Sequence, residues 1–170
     1  MHTPDERRYR EAGPADIPAV LGLLREIMAH HGVPAPAEAA LQAVVQQALD
    51  SPGHTFLVAE EAGEVVALCA LLFSLSTWSA GPVCELQDMV VRRDKRGRGL
   101  GRGLLAAAAD RARARGCRRM FLTAETFNLP AHAFYRACGL QEKAVLYFEQ
   151  ALAGGPVEAR REPGRLPTYG

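Results

Sequence analysis

Apolar residues return at helical spacing near the start of the chain, at strand spacing in its middle, and alternate between the two after that. The opening predicts a short strand over Arg8 to Glu11, then a helix in "GPADIPAVLGLLREIMAHHG". There Asp16 is a plausible N-cap, Pro18 sits in the first turn, and Ile17, Val20, Leu21, Leu24 and Met28 share one face. After the "GVPAP" break, residues 36–50 repeat the pattern through Ala40, Leu41, Val44, Val45 and Leu49, and "DSPG" ends it. "HTFLVAE", the turn "EAGE" and "VVALCALLFSLS" predict an antiparallel hairpin, and "CELQDMVV" a third strand beside it. Leu100, Leu104, Ala107, Ala108 and Ala112 form one face of a following helix, which turns Arg102, Asp110, Arg113 and Arg115 away and is capped by Gly116. "RRMFLTAE" reads as a strand, "NLPAHAFYRACG" as a short helix capped by Asn128 and stopped by Gly139, and "EKAVLYFEQAL" as a final strand.

The order strand, two helices, three strands, helix, strand, helix, strand describes an α/β or α+β domain with one crossover through the long helix. A chain of 170 residues, 48% hydrophobic, can bury one sizeable core, so residues 1–150 are expected to form a single domain. The remainder, 151–170, is rich in Gly, Pro and Arg without periodicity and is expected to be an arm or a strap on a partner subunit.

Charge is local rather than global. Twenty basic against nineteen acidic residues leave a net +1, which is no footprint of a general nucleic-acid or membrane binder. The charged N-terminus and the lack of a long apolar stretch imply a cytoplasmic chain with no membrane partner. Cys69, Cys84, Cys117 and Cys138 stand singly, away from any zinc-like spacing, and read as buried thiols; no metal is implied. His30 and His31 close the first helix, where histidine suits the negative end of the helix dipole.

One stretch does concentrate charge: "DMVVRRDKRGRGLGRGLL", residues 88–105, holds six basic side chains and four glycines between a strand and a helix. Backbone N–H groups delivered by a glycine turn to a helix N-terminus form an anion site, because the amides lack partners and the helix dipole favours negative charge. The GxxxxGK[ST] string of a nucleoside-triphosphate loop is absent. The dinucleotide pattern GxGxxG fails as well, since Gly97-x-Gly99 meets Arg102 and Gly99-x-Gly101 meets Leu104 at the third position.

What fits is Arg96-x-x-Gly99-x-Gly101, preceded by a strand ending at Val91 and followed by Asn128-x-x-Ala131-x-x-Phe134-Tyr135-x-x-x-Gly139. In these motifs, and in "YREAGPADIPAVLGLL", the chain resembles the GNAT superfamily of N-acetyltransferases over roughly residues 8–150. The resemblance implies a single mixed, mostly antiparallel sheet of six or seven strands, splayed at the fourth and flanked by about four helices. It implies acetyl-CoA as cosubstrate, with its phosphates on Arg96, Gly97, Arg98, Gly99, Leu100, Gly101 and Arg102. The neighbouring Arg92, Arg93 and Lys95 are further candidates for them. Met89, Val90 and Val91 would offer backbone amides to the thioester and pantetheine, and Asn128, Ala131 and Phe134 would line the cofactor from the last helix. Tyr135 would be the acid that protonates the leaving thiolate. A small-molecule amine acceptor and a homodimer are the implied partners, with no nucleic acid.

Deprotonating an ammonium calls for a carboxylate, and Glu85 and Asp88 lie on the strand carrying the catalytic backbone. "STWSAGPVCELQDMVV" and "AETFNLPAHAFYRACG" resemble the diamine and thialysine acetyltransferase branch, with Gln87 where that branch has Glu and the A-E pair displaced by one residue. A diamine, an amino-acid side chain, an aminoglycoside and a peptide amine all stay open as acceptors, beside a non-catalytic CoA-binding module.

Overall fold

The structure is a computed structural model and describes residues 7–148, 150 and 152. They fall into two compact units divided after Leu122.

In the first unit, five strands form one sheet in the order β1 (Arg7–Glu11), β2 (His54–Glu61), β3 (Glu64–Ser76), β4 (Gly81–Val91) and β5 (Met120–Phe121). All neighbours are antiparallel except β4 and β5, which run parallel because α3 (Leu100–Ala114) crosses over between them. On one face lie α1 (Ile17–His31) and α2 (Glu38–Leu49), and on the other α3. The predicted order of these elements is observed, with five strands where six or seven were expected.

Alternation along the strands explains both layers. Phe56, Val58, Leu68, Ala70 and Val90 pack with Val20, Leu21, Leu24, Leu41 and Val45 into the core beneath α1 and α2. The intervening Leu57, Ala59, Ala67, Cys69 and Leu71 are buried on the opposite face, which takes Leu100, Leu104, Ala108 and Ala112 of α3. Burial also pushes the Cys69 thiol up to about 12 and that of Cys84 to about 11, so neither is a nucleophile. β1 seats α3 from the same side: a Cβ added at Gly103 would overlap the Tyr9 phenol, which is why this helix tolerates glycine there.

Two local expectations change. Asp16 precedes α1 but makes no side-chain cap; its carboxylate accepts instead from Gly13 N at 2.8 Å and from Arg10 at 2.7 and 2.9 Å. This pairing holds the Asp16 carboxyl below the usual carboxylate range. The predicted strand over 118–125 is reduced to two residues, which pair only as Cys84↔Met120 and Glu85↔Phe121.

The second unit, from Thr123, contains α4 (Leu129–Ala137). Asn128 caps it as predicted, accepting from Ala131 N at 3.3 Å, and Gly139 follows its end at φ 88°. The predicted final strand over 142–152 is not observed among the described residues: 140–148 form no ladder, and Val145, Leu146, Tyr147 and Phe148 are exposed. The tail beyond residue 152 lies outside the described residues.

Candidate active site

Two devices at the C-terminal end of β4 share one structural feature, a backbone at positive φ. The first is the glycine loop. β4 stops at Val91, a single 3-10 turn spans Arg93–Lys95, and α3 begins with Gly99 as N-cap at φ 84°; Gly97 is also left-handed, at φ 75°. Gly103 N donates to Gly99 O at 3.1 Å and closes the first helical turn. Leu100 and Gly101 thus present N–H groups without helical acceptors at the positive end of a fifteen-residue helix. That donor set fits the pyrophosphate of a coenzyme A.

Most of the basic side chains there have carboxylate partners within the protein. Arg92 donates to Asp94 at 2.7 Å and to Glu64 at 3.2 Å. Arg96 donates to Val91 O at 2.9 Å and to Glu26 at 3.2 Å. Lys95 and Arg98 both reach Glu61, at 2.8 and 3.3 Å. Their shared effect is to tie the loop to the protein's own carboxylates.

The second device is a β-bulge. Leu68 pairs with Val90 but Ala70 pairs with Gln87, so Asp88 and Met89 together oppose the single residue Cys69, and Asp88 sits at φ 47°. Without the extra residue Asp88 would follow Cys84 and Leu86 onto the face covered by α3, where a carboxylate would be buried among leucines. The bulge resets the phase and returns Val90 to the core beneath α1. Among the described residues no strand pairs with β4 beyond Glu85 on its outer edge.

Glu85 and Gln87 share a face of β4, and Gln87 Nε2 donates to Glu85 Oε1 at 3.2 Å. Asp88 is exposed to solvent at the bulge. Desolvation pushes its carboxyl above the ordinary carboxylate range, and the nearby charge of His31 pulls it partly back. His31, which the sequence reading left as a helix end, lies near enough to influence the Asp88 carboxyl. Its signal was the apolar stripe Leu21, Leu24 and Met28, which continues at helical spacing to His31 and turns it toward the sheet.

In the second unit, Ala131, Phe134 and Tyr135 are half-buried on α4, and the Phe134 and Tyr135 rings meet edge-on at 5.2 Å. Tyr135 is thus as much enclosed as Phe134. His132 places a ring nitrogen 2.8 Å from Glu125 O.

A mixed sheet whose bulged β4 runs into a glycine turn at the start of α3 is the arrangement expected of an acetyl-CoA-using N-acetyltransferase. The acetyltransferase (GNAT) family model matches residues 22–140, and the chain belongs to this family of acetyl-CoA-dependent N-acetyltransferases. It is 31% identical over 147 residues to an aminoglycoside N(6')-acetyltransferase type 1 of Stenotrophomonas maltophilia, covering 84% of this chain and 92% of that one. Against the thialysine N-epsilon-acetyltransferase of Bos taurus it is 29% identical over 142 residues, covering 78% and 83%. A solved structure of a putative acetyltransferase from Agrobacterium tumefaciens superposes with a TM-score of 0.75 at 32% identity, over 84% of this chain and 99% of that one.

Proposed function

We propose that the protein moves the acetyl group of acetyl-CoA to a primary amine of a small molecule, a diamine, polyamine or amino-acid-like compound, by direct attack in a ternary complex. The observation that carries the acceptor side is Asp88: a carboxylate held in a left-handed bulge, beside Glu85 on the same strand, beyond the last residue of β4 that pairs with β5. Acetyl-CoA, when bound, supplies the acetyl group as a thioester.

The amides of Gly97 to Gly101 hold the cofactor's pyrophosphate, and the backbone of Met89, Val90 and Val91 orients its pantetheine arm. Asp88 takes the acceptor's ammonium as counter-ion and receives its proton, directly or through water, with Glu85 as a second anchor. Tyr135 holds the proton that the departing thiolate needs; a phenol near ~10 and a thiol near ~8.5 put that transfer within reach of modest tuning. Asn128, Ala131 and Phe134 of α4 and its cap are the residues assigned to line the cofactor. The functional unit is a homodimer in the cytoplasm.

An aminoglycoside is the second reading, favoured by the 31% identity to the Stenotrophomonas maltophilia enzyme over most of both chains. Gln87, where the diamine branch has a carboxylate, lowers the negative charge offered to any polycation, so it does not separate the two classes. The discriminating experiment is coenzyme A release from acetyl-CoA against a panel of diamines, lysine-like amino acids and aminoglycosides. Saturable release with one class assigns the acceptor. Coenzyme A binding without release for any member would make the chain a non-catalytic binding module.

With the best acceptor, Tyr135→Phe keeps the ring and removes the donor. The expected loss is about 10² to 10⁴-fold in kcat with coenzyme A affinity unchanged. Activity within about threefold of the parent would return Tyr135 to a packing role.

A further inference from the structure

Glu61 is a carboxylate with 5% of its surface exposed, on the sheet face covered by α3, and nothing in the acetyl transfer uses it. It ends β2, in register with Arg7 of β1, and the two-residue turn after it holds Ala62 and Gly63 at φ 53° and 79°. A charge that far out of water persists only when it is paired. Its partners are Arg7 Nε at 3.3 Å, Lys95 Nζ at 2.8 Å and Arg98 at 3.3 Å. The hydrogen bond from Lys95 is the main reason its carboxyl lies below the usual range.

Two of these partners belong to the glycine loop. Lys95 ends the 3-10 turn before it, and Arg98 stands between the left-handed Gly97 and Gly99. Arg7 adds a second tie, donating to the Arg98 carbonyl at 2.7 Å. A third comes from a bulge in β3: Ala59 pairs with Ala67 but Glu60 with Val65, and the carbonyl of the extra residue, Val66, accepts from Arg92 N at 2.9 Å. The hairpin end of β2 and β3 thus grips the loop at Arg92, Lys95 and Arg98, and its single buried charge is Glu61.

Resting on the placement of coenzyme A at this loop, we propose that Glu61 is a positioning residue for the cofactor, which holds the Gly97–Gly101 amides in their phosphate-binding arrangement through Lys95 and Arg98. Three cations around one carboxylate leave the cluster net positive, so the clamp fixes the loop without cancelling its attraction for phosphate. A glycine loop is the segment with most freedom to lose on binding, and a preset geometry spares the ligand that ordering.

The test is Glu61→Gln, which keeps size and an acceptor oxygen but removes the charge. The acetyl-CoA KM and the coenzyme A dissociation constant by calorimetry should each rise about tenfold, with kcat within about twofold. In a Lys95→Met/Arg98→Met background the same change should have no further effect on either constant, because Glu61 acts through those two side chains. An unchanged KM with a lowered Tm would make Glu61 structural only, and a lowered KM would mean that its charge repels the cofactor; either result overturns the proposal. Should E61Q fail to fold, Glu61→Asp takes its place, with a raised KM expected and an unchanged one overturning. Gly99→Val measured alongside separates the two levels. Undiminished coenzyme A binding there sinks the loop as the cofactor site, whereas a loss there without a loss in E61Q sinks only the role of Glu61.

Discussion

The glycine loop and the β4 bulge lie a few residues apart and both need left-handed backbone, yet they are built from opposite materials. The loop puts Gly97 and Gly99 at φ 75° and 84°, where glycine is relaxed; the bulge puts Asp88 at φ 47°, where a side chain costs about 1 kcal/mol. The loop needs bare amides, so a Cβ would only obstruct it. On the proposed reading the bulge presents a carboxylate to the acceptor, and the left-handed strain accompanies that placement.

Of these two devices, breaking the bulge's chemistry has the larger expected effect. Asp88→Asn should lower kcat/KM about 100-fold, consistent with loss of a general base. It should also remove the acid limb of the pH profile. Because burial raises the Asp88 carboxyl, its ionised form, and with it the activity, appears only as pH climbs through a value above the ordinary carboxylate range. His31→Gln, which removes the charge that partly offsets this, should move the limb of the otherwise intact enzyme to still higher pH, read from kcat/KM against pH.

Swapping the materials should give stability effects of opposite sign. Asp88→Gly relieves the left-handed strain and should gain about 1 kcal/mol while losing activity, whereas Gly99→Ala should lose about 1 kcal/mol. Urea unfolding of both variants measures this. A gain at both sites, or at neither, would mean that the two backbones are not under different strain.

The two devices also differ in how much of them the sequence displayed. Arg96-x-x-Gly99-x-Gly101 was readable because glycines that serve backbone geometry have few other reasons to cluster before a helix. The bulge showed itself only as an acid out of place, since Asp88 falls in phase with Cys84 and Leu86 while Val90 belongs to the other face; the phase slip is visible once the pairing of Leu68 and Ala70 is known. Glu61 was silent, because its role depends on strand register with Arg7 and on a loop more than thirty residues later. The layered core followed directly from periodicity. The final strand did not, because "AVLYF" has the propensity of a strand but no alternation that says which face is buried, and its residues stand exposed.

The central claim is that backbone amides at the start of α3, rather than the surrounding basic side chains, hold coenzyme A. Calorimetric titration of coenzyme A into Gly99→Val tests it most directly, because valine is disfavoured at positive φ and so disturbs the loop backbone without changing any charge. A dissociation constant raised at least about tenfold in a variant that still melts cooperatively is the expected result. An unchanged constant in the folded variant would contradict it.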